Sequence, residues 1–202
     1  VHVVRCFEDA NITHVDGSVD PVRDMETINL ELILADLESV GKRLDKAKNM
    51  IKTGDKKYAV EAELLQRICD TLAAERPVRS MTFSEEETEA VKNLFLLTSK
   101  PVIYAANISE ADLSRPQSEL KYVQEVREQA KKEGAGVIVI CARIEEELAG
   151  LPPEEKSLFL QDLGIEQSGL DNLVKECYSL LGLISYLTAG EKETRAWTIE
   201  KG

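Results

Sequence analysis

Only two histidines and four cysteines occur in 202 residues, and no two cysteines form a C-x-x-C pair. That scarcity excludes zinc ribbons and fingers, whose ligands come in close pairs. Cys6, Cys69, Cys141 and Cys177 are scattered instead. They read as reduced thiols of a cytoplasmic protein, with Cys69 the most exposed of the four. Long hydrophobic runs are also missing. The longest, VIVICA at 137–142, falls far short of the roughly 20 residues that span a bilayer, and no signal-peptide pattern opens the chain. A membrane role is excluded on this reading. Positive charge is in short supply: 25 Lys and Arg stand against 37 Asp and Glu, a net charge of −12. Such a balance disfavours general binding to nucleic acid, DNA included.

What is present is globular, with 43% hydrophobic and 31% charged residues. The length suits one large domain, or one domain carrying an insertion. Three apolar, β-type segments recur, VHVVRCF (1–7), PVIYAAN (101–107) and GVIVICA (136–142). Between the last two lies KYVQEVREQAKKEG, with Val123, Val126 and Ala130 on one helical face and Gly134 past its end. Strand, helix, strand at this spacing is a βαβ unit, so the fold class is α/β with a parallel sheet. Two further helices are predicted, on PPEEKSLFLQDLGI and on SGLDNLVKECYSLLGLISYL.

Residues 21–98 carry no strand signal. Ile33, Leu37, Val40, Leu44, Ala47 and Ile51 recur at alternating steps of four and three, a heptad seam. A KTGDK break follows, and Leu65, Ile68 and Leu72 form a second apolar stripe. The pattern predicts an antiparallel, coiled-coil-like helical hairpin inserted into the α/β fold. SEEE at 84–87 is a capping box leading into Val91, Leu94 and Phe95.

The stretch PVIYAANISE at 101–110 reads as a strand buried on both faces that ends abruptly in Asn107 and Glu110. Polar groups at the carboxyl end of a parallel strand lie where open α/β sheets bind ligands, although a merely polar loop would look the same. P-loop folds read a nucleotide base with Asn-Lys-x-Asp at one strand end and a small-residue turn at the next. Here Ile108 stands for the lysine and Glu110 for the aspartate. A carboxylate only accepts hydrogen bonds, and the longer Glu cannot sit where Asp would. Strict guanine selection is therefore not expected.

The chain resembles the YchF group of Obg-like P-loop NTPases. The resemblance is carried by VVRCFED (3–9), NITHVDGSVDP (11–21), INLELILADLE (28–38), AANISE (105–110) and YLTAGEKETRAWTI (186–199), in order along the whole chain. It implies NTPase segments at 1–20 and 99–187, a helical hairpin at 21–98, and the start of a small β-rich TGS domain at 188–202. It further implies a nucleoside triphosphatase preferring ATP over GTP. Asn107, the Ile108 backbone and Glu110 would line the base pocket, with Cys141, Ala142 and Arg143 forming the second base-contacting turn. His14 would orient the attacking water in place of a glutamine; read from its loop alone, without the resemblance, it is a solvated histidine. His2 reads as structural.

No G-x-x-x-x-G-K-[ST] occurs, the only Gly-Lys pair being Gly41-Lys42, and no Asp-x-x-Gly occurs either. Those elements hold phosphates and Mg2+. The sequence is accordingly expected to be a fragment, inactive alone, with no metal ligand of its own. One local charge reversal remains. Across 41–57, Lys42, Arg43, Lys46, Lys48, Lys52, Lys56 and Lys57 face only Asp45 and Asp55. A basic hairpin tip is either a solvated face or a prong for ribosomal RNA, Lys42, Arg43, Lys46, Lys52, Lys56 and Lys57 being the candidate contacts. The alternative to a nucleotidase is a hairpin module, binding protein or RNA, on a non-catalytic α/β scaffold.

Overall fold

The computed structural model describes residues 1–9, 11–12, 17–52 and 55–201. The chain divides into two compact units, Arg23–Pro101 and Val1–Val22 with Val102–Gly202.

In the second of these, strands β1 (His2–Arg5), β2 (Ile103–Asn107) and β3 (Gly136–Ile140) form a parallel sheet in the order β1-β2-β3. The central strand is the one read as buried on both faces, and Ile103, Tyr104, Ala105 and Ala106 are all buried. β1 is an edge: Val4 and Cys6 face inward, whereas Val3 is exposed. His2 lies against the Tyr104 ring, centroids 5.3 Å apart, and the Tyr104 hydroxyl donates to Glu133 at 2.7 Å. Helix α4 (Lys121–Glu133) joins β2 to β3 with Val123, Val126 and Ala130 fully buried. Each such valine contributes about 1.5–3 kcal/mol through burial. Gly134, at φ +67°, ends that helix in the left-handed conformation, and the Ala135 N–H closes the cap on the Ala130 carbonyl.

After β3 come α5 (Ala142–Ala149), α6 (Pro153–Asp162) and α7 (Gly169–Leu180), with Leu173 and Cys177 packed on Ile103, Ala105 and Ile138 of the sheet. The expectation of one helix over residues 168–187 is corrected here. Helix α7 stops at Leu180, Gly182 turns at φ +62°, and β4 (Leu183–Ala189) pairs antiparallel with β5 (Thr194–Glu200). LISYLTA is apolar enough to continue a helix by composition. It is a strand because TRAWTIE supplies a partner ladder only a short turn away.

The unit Arg23–Pro101 is helical. α1 (Pro21–Ile51) and α2 (Lys56–Ala73) bring Ile33, Val40, Leu44 and Ala47 into one core with Leu65, Ile68 and Leu72, joined by Val78, Val91 and Leu96. Helix α3 (Glu85–Lys92) begins in the predicted capping box, both reciprocal bonds between Ser84 and Glu87 being present. The Ser84 N–H and then the Arg67 guanidinium hold the Glu87 carboxyl below the usual range. Three details differ from expectation. Ile51, the last seam position, is exposed, because the tip is built of lysines rather than apolar partners. Phe95 lies past the end of α3 at φ +54° and is 77% exposed, so it does not continue the apolar face. Cys69 is buried in the helical core rather than exposed, and burial raises its thiol pKa.

A buried carboxylate crosses this core. Asp36, 3% exposed, accepts from the N–H groups of Leu97 (2.9 Å) and Thr98 (2.7 Å) and from the Thr98 hydroxyl (2.6 Å). The Thr98 hydroxyl oxygen accepts in turn from the Val78 N–H. Asp36 thus ties α1 to the segment that leads back toward β2.

Candidate nucleotide-base site

Parallel register brings the three carboxyl strand ends level, with Arg5 beside Asn107 and Asn107 beside Ile140. Backbone bonds extend the sheet past them: the Cys6 N–H donates to the Asn107 carbonyl and the Ile108 N–H to the Ile140 carbonyl, both at 2.8 Å. The Ile108 N–H is therefore committed to the sheet. Its carbonyl is the backbone group left for a ligand, and its side chain is buried.

Here the sequence candidates converge. The Asn107 side-chain oxygen accepts the Ala142 N–H at 2.9 Å, joining the end of β2 to the first residue of α5. Arg143, next in α5, places its Nε 3.2 Å from a Glu110 carboxylate oxygen. Both side chains are well exposed, so the pair lies at the surface. Cys141, the residue before α5, is buried. Ser109 and Arg115 both bond Asp112 (2.6 and 2.8 Å), which fixes the loop that carries Glu110. Asn107, Ile108, Glu110, Cys141, Ala142 and Arg143 thus form one contiguous group built from two adjacent strand ends. An amide, a carbonyl and a carboxylate–guanidinium pair there offer both donors and acceptors to a planar, hydrogen-bonding ligand.

Several supporting residues were not legible in the sequence. Glu145, one turn along α5, accepts the Gly169 N–H at 2.6 Å, and no motif marks it. Arg5 donates to the carbonyls of Phe7 (3.0 Å), Ile12 (3.2 Å) and Asp9 (3.4 Å), and its guanidinium lies 5.1 Å from the Phe7 ring. It organises the loop after β1. Tyr122, at the start of α4, donates to Glu8 of that loop at 2.8 Å, and this bond raises its own pKa. His14 lies outside the described residues. Among the described residues, no three His, Cys, Asp or Glu side chains converge to hold a metal ion.

The basic tip is only partly neutralised. Lys42 bonds Glu38 at 2.6 Å and Arg43 bonds Glu61 at 2.9 Å, whereas Lys46, Lys52, Lys56 and Lys57 are exposed. The Asp55 carboxylate is engaged in capping α2 through the Lys57 N–H at 2.9 Å.

No family model matches the chain. Curated relatives do. The chain is 53% identical over 201 residues to the ribosome-binding ATPase YchF of Bacillus subtilis, covering all of this chain and 55% of that protein. Against the protein of the same name from Haemophilus influenzae the identity is 45%, with 54% of that protein covered. A solved structure, the Schizosaccharomyces pombe YchF GTPase, superposes with a TM-score of 0.82 at 34% identity, covering 99% of this chain and 54% of that one. The chain spans about half the length of the curated relatives it matches. Along its whole length in sequence, and in fold, the chain is similar to proteins of the YchF family.

Proposed function

We propose that this chain supplies the base-recognition part of a ribosome-associated nucleoside triphosphatase that prefers ATP to GTP. One observation carries the reading: the hydrogen bond from the Ala142 N–H to the Asn107 side chain ties the two strand ends together. Glu110, already paired with Arg143, is poorly placed to collect the two N–H donors of guanine, and Ile108 contributes no lysine stem. The Asn107 amide N–H and the Ile108 carbonyl supply the donor and acceptor that an adenine edge requires. Residues 1–20 and 99–187 belong to the nucleotidase on this reading, 21–98 to a helical insertion and 188–202 to the opening of a further β-rich domain. The setting is cytoplasmic.

Phosphates and Mg2+ are assigned on this reading to a Gly-Lys-Ser/Thr loop and an Asp-x-x-Gly turn, motifs that do not occur in these 202 residues. Mg2+ would supply charge neutralisation at the transferred phosphate. This chain's own residues bind and orient the base. In the full-length protein, Asn107→Ala should weaken ATP binding at least tenfold, about 1.4 kcal/mol. The wild type should bind ATP at least as well as GTP; equilibrium titration of both nucleotides decides, and a tenfold preference for GTP would contradict the reading.

His14 is proposed to orient the attacking water. The expected signature of His14→Ala is a hydrolysis rate lowered with nucleotide affinity nearly unchanged, because the interaction is made in the transition state. Equal loss of both quantities in a single-turnover assay would assign it a structural role. The 202-residue chain alone is expected to hydrolyse nothing.

A further inference from the structure

The base-contacting turn is held from two sides, and only one of them is the asparagine. Cys141, Ala142 and Arg143 lead into α5, whose first N–H is bonded to Asn107. One turn on, Glu145 reaches in the other direction and accepts the Gly169 N–H at 2.6 Å, at the first residue of α7. Ser168 caps the same helix end by accepting the Asp171 N–H at 3.0 Å. A carboxylate at a helix N-terminus is favoured by the unpaired N–H groups and the positive end of the helix dipole.

The junction is close. A Cβ on Gly169 would come within 2.9 Å of the Ile140 side chain and 3.0 Å of the Glu145 carboxylate. Only glycine lets α7 approach β3 and α5 at this distance. Behind the turn lies a small, partly open pocket. Ile108, Cys141, Ile144, Ser168 and Asn172 border a cavity of about 150 Å³. Cys141 and Ile144 are buried beside this space, and the polar ties to Asn107 and Gly169 hold the turn from either side of it.

We infer that Glu145 is a positioning residue for base recognition, acting by anchoring α5 to the α7 N-terminus so that Cys141, Ala142 and Arg143 stand at the correct depth beside Asn107. This inference rests on the base-site reading above and extends it to a residue that touches no ligand. If Glu145 is lost, Asn107 still holds Ala142, but the helix behind it can tilt into the cavity. Base contacts should loosen while the phosphate end of the nucleotide is unaffected.

The test uses the full-length protein and two ligands, ATP and tripolyphosphate, which carries the phosphates without the base. Glu145→Ala should lower ATP affinity at least tenfold and leave tripolyphosphate affinity within twofold. Glu145→Gln keeps an oxygen acceptor at the same reach and should restore ATP affinity to within threefold of wild type. Gly169→Ala forces the junction apart from the opposite side and should reproduce the Glu145→Ala pattern, and it carries the measurement should Glu145→Ala not fold. An equal loss for both ligands, an unchanged ATP affinity, or a failure of glutamine to restore binding would each overturn the assignment. Asn107→Ala serves as the reference. If it too leaves the gap between ATP and tripolyphosphate intact, the base-site reading has failed and the role of Glu145 falls with it. If Asn107→Ala closes that gap and Glu145→Ala does not, only the positioning role is lost.

Discussion

Cys6 illustrates how position along the chain decides a side chain's chemistry. It follows β1 directly, buried beside the sheet, and burial, aided by the negative charge of Glu125, pushes its thiol pKa up to about 12. Thiolate chemistry at neutral pH is therefore closed to it. The raised pKa also has a stability consequence. Between the ordinary thiol value and about 12, the unfolded state loses the proton that the folded state keeps, so stability falls as pH rises through that window. The slope attributable to one such group is at most about 1.4 kcal/mol per pH unit. Replacing Cys6 with alanine should flatten the alkaline limb of a denaturant-midpoint profile while lowering its plateau through the cavity left behind. Parallel profiles for the two proteins above pH 9 would show that the Cys6 thiol titrates alike in the folded and unfolded states, contrary to this reading. Asn107 shows the reverse situation at the same scale. It is polar at the end of an otherwise buried strand, and its side-chain oxygen accepts a bond from a different strand end.

At the scale of elements, periodicity was legible and partnership was not. The 3.6-residue stripe of Val123, Val126 and Ala130, the heptad seam of α1 as far as Ala47 and the capping box at Ser84 are local patterns, and each appears where it was expected. β4 was misread as helix because its strand character depends on β5, a partner that periodicity cannot see. Cys69 looked exposed for the same reason: the second stripe was too irregular to show which residues face α1. Asp36 is the sharpest case. Within INLELILADLE it reads as one more solvated helix position, yet it is buried and accepts three hydrogen bonds from residues about sixty positions away. The candidate site divides likewise. Asn107 and Glu110 were marked by a strand end, but Glu145 and Arg5 act on backbone groups and leave no motif. Asp36→Ala would strand two N–H groups and a hydroxyl in the interior, a loss of about 2–4 kcal/mol. The expected readout is a clearly lowered urea midpoint at constant m-value, with Asp36→Asn intermediate because one acceptor oxygen remains. A loss under 1 kcal/mol for the alanine variant would mean that water replaces the carboxylate.

For the whole molecule, the question is how a chain with net charge −12 could approach an RNA surface. Repulsion between like charges is screened over roughly 8–10 Å at physiological salt, so distance from the acidic residues matters more than net charge. The tip of the α1–α2 hairpin concentrates Lys46, Lys52, Lys56 and Lys57 on exposed positions, while Lys42 and Arg43 are partly taken up by Glu38 and Glu61. The four unpaired-looking positions are thus the ones to change, and they lie outside the buried seam of Ile33, Val40, Leu44 and Ala47. Replacing Lys46, Lys52, Lys56 and Lys57 with glutamine leaves that seam intact, so helix content by circular dichroism should not move. If the tip contacts ribosomal RNA, co-sedimentation of the full-length protein with ribosomes should fall and become less sensitive to salt, because each lost phosphate contact releases fewer counterions. ATP affinity, which we propose is set at Asn107 and Ala142, should stay within twofold of wild type. Unchanged co-sedimentation at both low and high salt would identify the tip as a solvated face.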